Sequence, residues 1–333
     1  MEKNSLHIKH FSPAWFAMIM GLGAFANASY MIGAKVVGIS VFWVNIVMFF
    51  LLSVPFIIRF VVYFEDVKRD IFSPYTIAFY PTFAVGMLVL AGGAMLMKPF
   101  SGYIEFTFLM YIVGSLLVLV FASIMGYAMF VSDGVDLKHA NYSWLIPPVA
   151  AVVVPMVGSS LVPYAGSYAK LLALINVIYF SIGFFLYIFV GSIIFHRMVT
   201  HSLPSSSVAP TIWISLGPIG VSAIDMLGFT KALYPLGITI GMAPALMIWG
   251  FGIWCYVVSV LITIHYWKNT GIPYGLGWWA YIFPLGAYTI ATIYLAKVVS
   301  CPFAMYIAWI LYITLVINLL MTLKNMYMFL WKK

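Results

Sequence analysis

WLIPPVAAVVVPMVGSSLVPYAG, residues 144–166, runs for 23 residues without a charge and carries four prolines. A helix of that length rises about 35 Å at 1.5 Å per residue, enough to cross a hydrocarbon core about 30 Å thick. Polar and apolar residues do not alternate with period two, so a barrel strand does not fit. Backbone groups in lipid must be satisfied within their own segment, and the stretch therefore reads as a membrane helix. Pro147 and Pro148 suit a first helical turn, where the missing N–H is not needed. Pro155 stands 8 residues after Pro147, inside the helix, where proline costs about 3 kcal/mol in isolation.

The same pattern recurs on both sides. Apolar spans fall at roughly 13–34, 39–63, 75–97, 101–131, 144–166, 169–195, 208–230, 233–264, 274–296 and 302–330. Odd-numbered spans begin at Pro13, Pro74, Pro147, Pro210 and Pro273, with gaps of 61, 73, 63 and 63 residues. A second breaker follows inside each: Gly21, Pro81, Pro155, Pro218 and Pro284. Spans four, six and ten have no internal proline, while spans two and eight contain Pro55 and Pro244. Connections are short, so the chain reads as five helical hairpins. Prolines freed of a backbone partner are tolerated where neighbouring helices or water satisfy the carbonyls. Five kinked helices inside and five straighter ones facing lipid would meet that condition. Small residues collect in the odd helices, among them Gly21, Gly23, Gly158, Gly217 and Gly220, and permit close approach.

Composition agrees. Of 333 residues, 65% are hydrophobic and 7% charged, against roughly 25% charged in soluble domains. The expectation is one transmembrane transporter or channel domain over 1–333, with a polar segment at 1–12 ahead of ten helices at about 13–330. That first segment does not read as a cleaved signal peptide. The net charge of +8 is scattered, so nucleic acid is not an expected partner. Cys255 and Cys301 offer neither a disulfide framework nor metal-ligand spacing. No catalytic or phosphate-binding motif is present, so neither an enzyme nor a cofactor is expected.

Eleven Lys and Arg fall on the side of the termini and five on the other, which predicts cytoplasmic termini in the cell membrane. The five outer lysines, Lys35, Lys98, Lys170, Lys231 and Lys297, are spaced by 63, 72, 61 and 66 residues. They read either as helix-end lysines reaching for the interface or as a ring that concentrates anions at an outer mouth. Asp225 lies 15 residues beyond Pro210, about 22 Å along a helix. It reads as part of a wet vestibule or the partner of a mouth lysine, or else as the candidate coupling acid of a proton-driven carrier. Polar candidates for a pore lining are Asn27, Ser29, Thr82, Ser159, Ser160, Thr211, Ser215, Ser222 and Thr289. Phe283 precedes Pro284, and Met20, Tyr80, Val154 and Gly217 hold the same place before the other breakers. Phe283 reads as a packing residue or as a hydrophobic constriction.

Four stretches carry a resemblance: FSPAWFAMIMGLGAFA (11–26), WLIPPVAAVVVPMVGSS (144–160), APTIWISLGPIGVSAI (209–224) and WWAYIFPLGAYTIAT (278–292). They resemble the tellurite-resistance/dicarboxylate transporter family, which includes bacterial TehA, malate permeases, sulfite efflux pumps and plant guard-cell slow anion channels. The resemblance implies five hairpins about a quasi-fivefold pore axis, lined by the odd helices. It implies a homotrimer with one pore per subunit, and a phenylalanine gate in the ninth helix, which is Phe283 here. The expected function is passage of small inorganic or carboxylate anions across the lipid bilayer. The alternative is a proton-coupled dicarboxylate (malate) carrier, or a sulfite or tellurite-related exporter.

Overall fold

A computed structural model describes residues 8–73, 76–131, 136–233 and 237–331, with backbone alone for 229–233 and 237–238. Pro74 and the side chain of Lys231 lie outside the described residues. Among those residues every regular element is helical. The α-helices are α1 (Phe16–Ile32), α2 (Lys35–Val62), α3 (Phe64–Ile71), α4 (Pro81–Met97), α5 (Tyr103–Val131) and α6 (Ile146–Leu161). They continue with α7 (Ala169–Thr200), α8 (Leu216–Leu233), α9 (Gly237–Asn269), α10 (Phe283–Val299) and α11 (Pro302–Trp331). Together with their 3-10 turns they form ten described spans long and apolar enough to cross a membrane, from Pro13–Ile32 to Pro302–Trp331. The span limits fall within six residues of those expected from sequence.

The division into inner and outer helices follows the prolines. In the odd spans between 67% and 83% of the most apolar stretch is buried, and in the even spans between 22% and 39%. Leu51, Leu116, Phe189, Leu261 and Leu320 on the even helices are exposed, as side chains solvated by lipid should be. The inner helices close on one another: α1 packs on α4, α4 on α6, α6 on α8, α8 on α10, and α10 on α1. Each also carries the outer helix that follows it, the pairs being α1–α2, α4–α5, α6–α7, α8–α9 and α10–α11. Glycine makes the inner contacts possible. A Cβ at Gly220 would stand 2.7 Å from the backbone of Tyr288, and one at Gly286 would stand 2.8 Å from Ala24 Cβ.

The breakers act differently from the simple expectation of a mid-helix kink. A 3-10 segment leads into every inner helix: Pro13–Trp15, Ile77–Phe79, Tyr142–Leu145, Ser206–Ser215 and Leu276–Tyr281. Pro81, Pro218 and Pro284 then sit in the first turns of α4, α8 and α10. Proline donates no hydrogen bond, which costs nothing in a first helical turn, so the α ladder begins within a turn of each of these prolines rather than bending there. Pro155 is interior to α6. Gly21 lies within an unbroken α1, where its missing Cβ leaves room for the Trp279 ring, 2.9 Å from the position a Cβ would take.

One element was not expected. The polar connection after α2 folds as α3, with Glu65 and Asp66 in its first turn and Lys68 and Arg69 in its last, complementing the helix dipole. Val67 anchors it in the core. Arg59 of α2, 5% exposed, ties this end together. Its Nε donates to the Lys9 carbonyl at 2.9 Å, its Nη2 to Asp70 Oδ2 at 2.6 Å, and its Nη1 to Tyr80 Oη at 3.4 Å.

Candidate functional site: two cavities on either side of Phe283

Ten crossings return both ends of the chain to one face, called here the termini face. On that side of Phe283 lies a cavity of about 50 Å³. Every inner span contributes two residues three positions apart: Ala17 and Met20, Phe79 and Thr82, Ile146 and Val149, Thr211 and Ile214, Ala280 and Phe283. Beyond Phe283 a second cavity, of about 20 Å³, is lined by Asn27, Val89, Met156, Val221 and Ile290. Each of these stands seven residues, or two helical turns, after the lining residue of the same span in the first cavity. The five spans therefore present one stripe each to a common line. Phe283 borders both cavities and is 6% exposed, so it lies at the boundary between them.

The stripe corrects the register read from the breakers. Met20 and Phe283 line the first cavity. Tyr80, Val154 and Gly217 do not line either cavity, and their places are taken by Thr82, Val149 and Ile214. The offset between breaker and lining residue varies from span to span, because Pro81, Pro218 and Pro284 mark where their α-helices start, Pro155 and Gly21 lie inside theirs, and none of them sets which face is shown. Of the polar candidates, Asn27, Thr82 and Thr211 reach a cavity. Ser29 instead bonds Tyr312 at 2.9 Å, and the Thr289 hydroxyl donates to the Leu285 carbonyl at 2.7 Å. Ser215 borders a separate groove between α7 and α9.

No charged residue lines either cavity. The electrostatics come from neutral groups. Asn27 Oδ1 and the Trp279 indole N–H are buried without a hydrogen-bond partner among the described residues. Trp279 borders the first cavity; sequence reading missed it, although the Trp278-Trp279 pair preceding the Phe283-Pro284 step was visible. All five inner α-helices begin beside this cavity, at Phe16, Pro81, Ile146, Leu216 and Phe283. The helix dipoles turn their positive ends this way, which favours anions, although the 3-10 lead-ins already pair the first N–H groups, as at Phe16, Ile146 and Leu216.

Asp225 is 1% exposed, and neither carboxylate oxygen has a partner among the described residues. It lies one turn beyond Val221 on the lining stripe of α8. Lys35, Lys98, Lys170 and Lys297 are exposed at helix ends on the far face. Lys35 stands 5.8 Å from the centre of the Tyr30 ring and Lys98 5.9 Å from that of Tyr103. Lys297 Nζ donates to the Met31 carbonyl at 3.3 Å. No cluster of metal-ligating side chains occurs among the described residues.

Comparison with known proteins covers nearly the whole chain. A family model described as "SLAC1: Voltage-dependent anion channel" matches residues 10–327. The chain is 34% identical over 338 residues to the transporter MJ0576 of Methanocaldococcus jannaschii, covering 96% of this chain and 94% of the relative. It is 23% identical to the sulfite efflux pump SSU1 of Arthroderma benhamiae, covering 89% and 84%. It is 21% identical to the malic acid transport protein of Schizosaccharomyces pombe, covering 89% and 73%.

Proposed function

This chain belongs to the SLAC1 voltage-dependent anion channel family, and from that premise we propose that it conducts small anions along the line shared by the two cavities, with Phe283 as the gate. The observation that carries this reading is the position of Phe283: it alone of its stripe borders both cavities, and all five inner spans contribute to each. The pore in this reading follows a quasi-fivefold axis through five hairpins. The breakers Gly21, Pro81, Pro155, Pro218 and Pro284 fit it by setting where each inner helix starts or how closely it is approached.

Anion preference follows without a fixed charge at the centre. A compact anion in the first cavity would meet the Trp279 N–H and the positive ends of five helices, while the Thr82 and Thr211 hydroxyls already donate to main-chain carbonyls. Such weak contacts suffice for selection while leaving the ion free to move on. The outer lysines would raise the local anion concentration at the far mouth. The assembly proposed is a homotrimer in the cell membrane, one pore per subunit, with both termini in the cytoplasm. The test is a flux assay in proteoliposomes against chloride, nitrate, sulfite and malate. Selective anion flux that is independent of a proton gradient supports the channel; absence of flux for every anion refutes it.

Asp225 supports a second reading, a proton-coupled carrier for a dicarboxylate or sulfite. It is a buried carboxylate without a partner among the described residues, on the stripe that lines the path. Relatives named for sulfite and malic acid transport fit that reading. Uptake driven by a pH gradient, and abolished in Asp225→Asn, would favour it over the channel.

A further inference from the structure

Two arginines are buried at the termini-face ends of outer helices, Arg59 in α2 at 5% exposed and Arg197 in α7 at 3%. Both hold a lysine carbonyl from an adjoining connection. Arg59 Nε donates to the Lys9 carbonyl at 2.9 Å, and Arg197 Nη2 donates to the Lys138 carbonyl at 3.2 Å. There the likeness ends. Arg59 has Asp70 at 2.6 Å. Arg197 has no ion pair among the described residues, its Nη1 reaches only Met198 Sδ at 3.7 Å, and its Nε has no partner. An uncompensated buried charge is strongly destabilising, so the guanidinium calls for a negative group that none of the described residues supplies.

The space for one is present. Arg197 borders a cavity of about 480 Å³, with Lys138, His139, Asn141, Leu203 and Ser205 around it. It is separate from both cavities at Phe283. Asp136, the carboxylate beside this connection, is already engaged. It caps the turn Leu137–His139 by accepting the Lys138 N–H at 2.9 Å. The wall at Leu203–Ser205 is fixed from elsewhere, since Tyr266 Oη donates to the Pro204 carbonyl at 2.6 Å.

We infer that this cavity is a binding site for a compact oxyanion, a phosphate or carboxylate group, which pairs with the Arg197 guanidinium as Asp70 pairs with Arg59. The planar guanidinium suits two-oxygen recognition, and Lys138 adds positive charge at the rim. The bound group ties the 136–141 connection and the 203–208 connection to α7. It is supplied either from solution or by the headgroup of an anionic phospholipid. The site is independent of the path through Phe283.

Purified full-length protein in detergent can be titrated with sodium phosphate at constant ionic strength set by sodium chloride, with thermal unfolding followed by tryptophan fluorescence. A saturable rise in Tm is expected, and Arg197→Gln should shift its midpoint by about tenfold or more. Ser205→Glu places a tethered carboxylate in the cavity. It should raise Tm in chloride alone and abolish the phosphate response, which decides the matter even if Arg197→Gln does not fold. Nanodiscs of phosphatidylcholine with and without phosphatidylglycerol separate the sources. A phosphate response lost only when phosphatidylglycerol is present assigns the site to the lipid headgroup, and one kept in both assigns it to a soluble anion. An unchanged phosphate response in Ser205→Glu overturns the inference. So does the absence of any effect of either phosphate or phosphatidylglycerol on the wild-type protein.

Discussion

Phe283→Ala removes the ring of the residue that borders both cavities, of about 50 and 20 Å³. If the gap stayed dry, the loss of packing would cost about 3–5 kcal/mol of stability. A water needs about 10–15 Å³ of such space and polar partners, which the Trp279 N–H and Asn27 Oδ1 offer, so on the gate reading the gap left by the ring fills and joins the two cavities. The observed loss of stability should then fall below the dry value. Flux should move the other way. Taking an ion out of water costs several kcal/mol even after relaxation. If wetting the constriction lowers that barrier by about 3 kcal/mol, the rate rises roughly 100-fold. Chloride efflux from proteoliposomes, calibrated by protein content, measures this directly. Phe283→Leu keeps much of the bulk and should give a far smaller increase. A Phe283→Ala protein that runs as a single species on gel filtration and passes chloride no faster than the wild type would refute the gate.

Four other outcomes follow from the same geometry. Gly220→Leu forces a side chain against the Tyr288 backbone, 2.7 Å from the Cβ position, and should lower stability by about 1–3 kcal/mol in thermal unfolding, without a comparable effect from Leu at Gly250, where a Cβ meets nothing within 4 Å. Asp225→Asn should leave gradient-independent chloride flux intact, and loss of that flux would make Asp225 part of the conducting path itself. Changing Lys35, Lys98, Lys170 and Lys297 together to Gln should reduce flux at about 10 mM salt and have little effect near 1 M, where charge is screened within about 3 Å; equal currents at low salt would reduce these lysines to interfacial anchors. Asp70→Ala leaves Arg59 buried without its ion pair and should cost about 3–5 kcal/mol, read as a lower Tm, whereas loss of the exposed Arg69–Asp66 pair in Arg69→Ala should cost at most about 1 kcal/mol.

The membrane spans and their division into inner and outer sets were legible in the sequence because lipid imposes one-dimensional rules. Charge is excluded over about 20 residues, and proline collects where other helices cover the backbone. Lining register was not legible in the same way. It depends on which face each inner helix turns to its two neighbours, and contacts such as Gly220 with Tyr288 and Gly286 with Ala24 set that face. So Met20 and Phe283 could be read from their breakers, while Thr82, Val149 and Ile214 could not. The buried arginines escaped for a related reason. Arg59 and Arg197 look alike as helix-end cations, and only the fold shows that one meets an aspartate and the other an open cavity. The helix α3 was hidden because FEDVKRDI is too polar and too short to stand out from a loop until Val67 finds the core.

The 3-10 lead-ins also settle a matter of length. A residue in a 3-10 helix advances about 2.0 Å along the axis, against about 1.5 Å in an α-helix. The ten residues Ser206–Ser215 therefore cover about 20 Å where an α-helix would cover about 15 Å. The inner spans are short, 20 to 24 residues, while the outer ones run from 28 to 35. Stretching their first turns lets the shorter spans keep pace with the same bilayer thickness. The same arithmetic makes each lead-in a vernier. Rewinding Ser206–Ser215 into α-helix would draw in the start of its span by about 5 Å, and would move the lining residues nearer α8 by less, Thr211 by about 2.5 Å and Ile214 by about 1 Å, without any helix having to tilt.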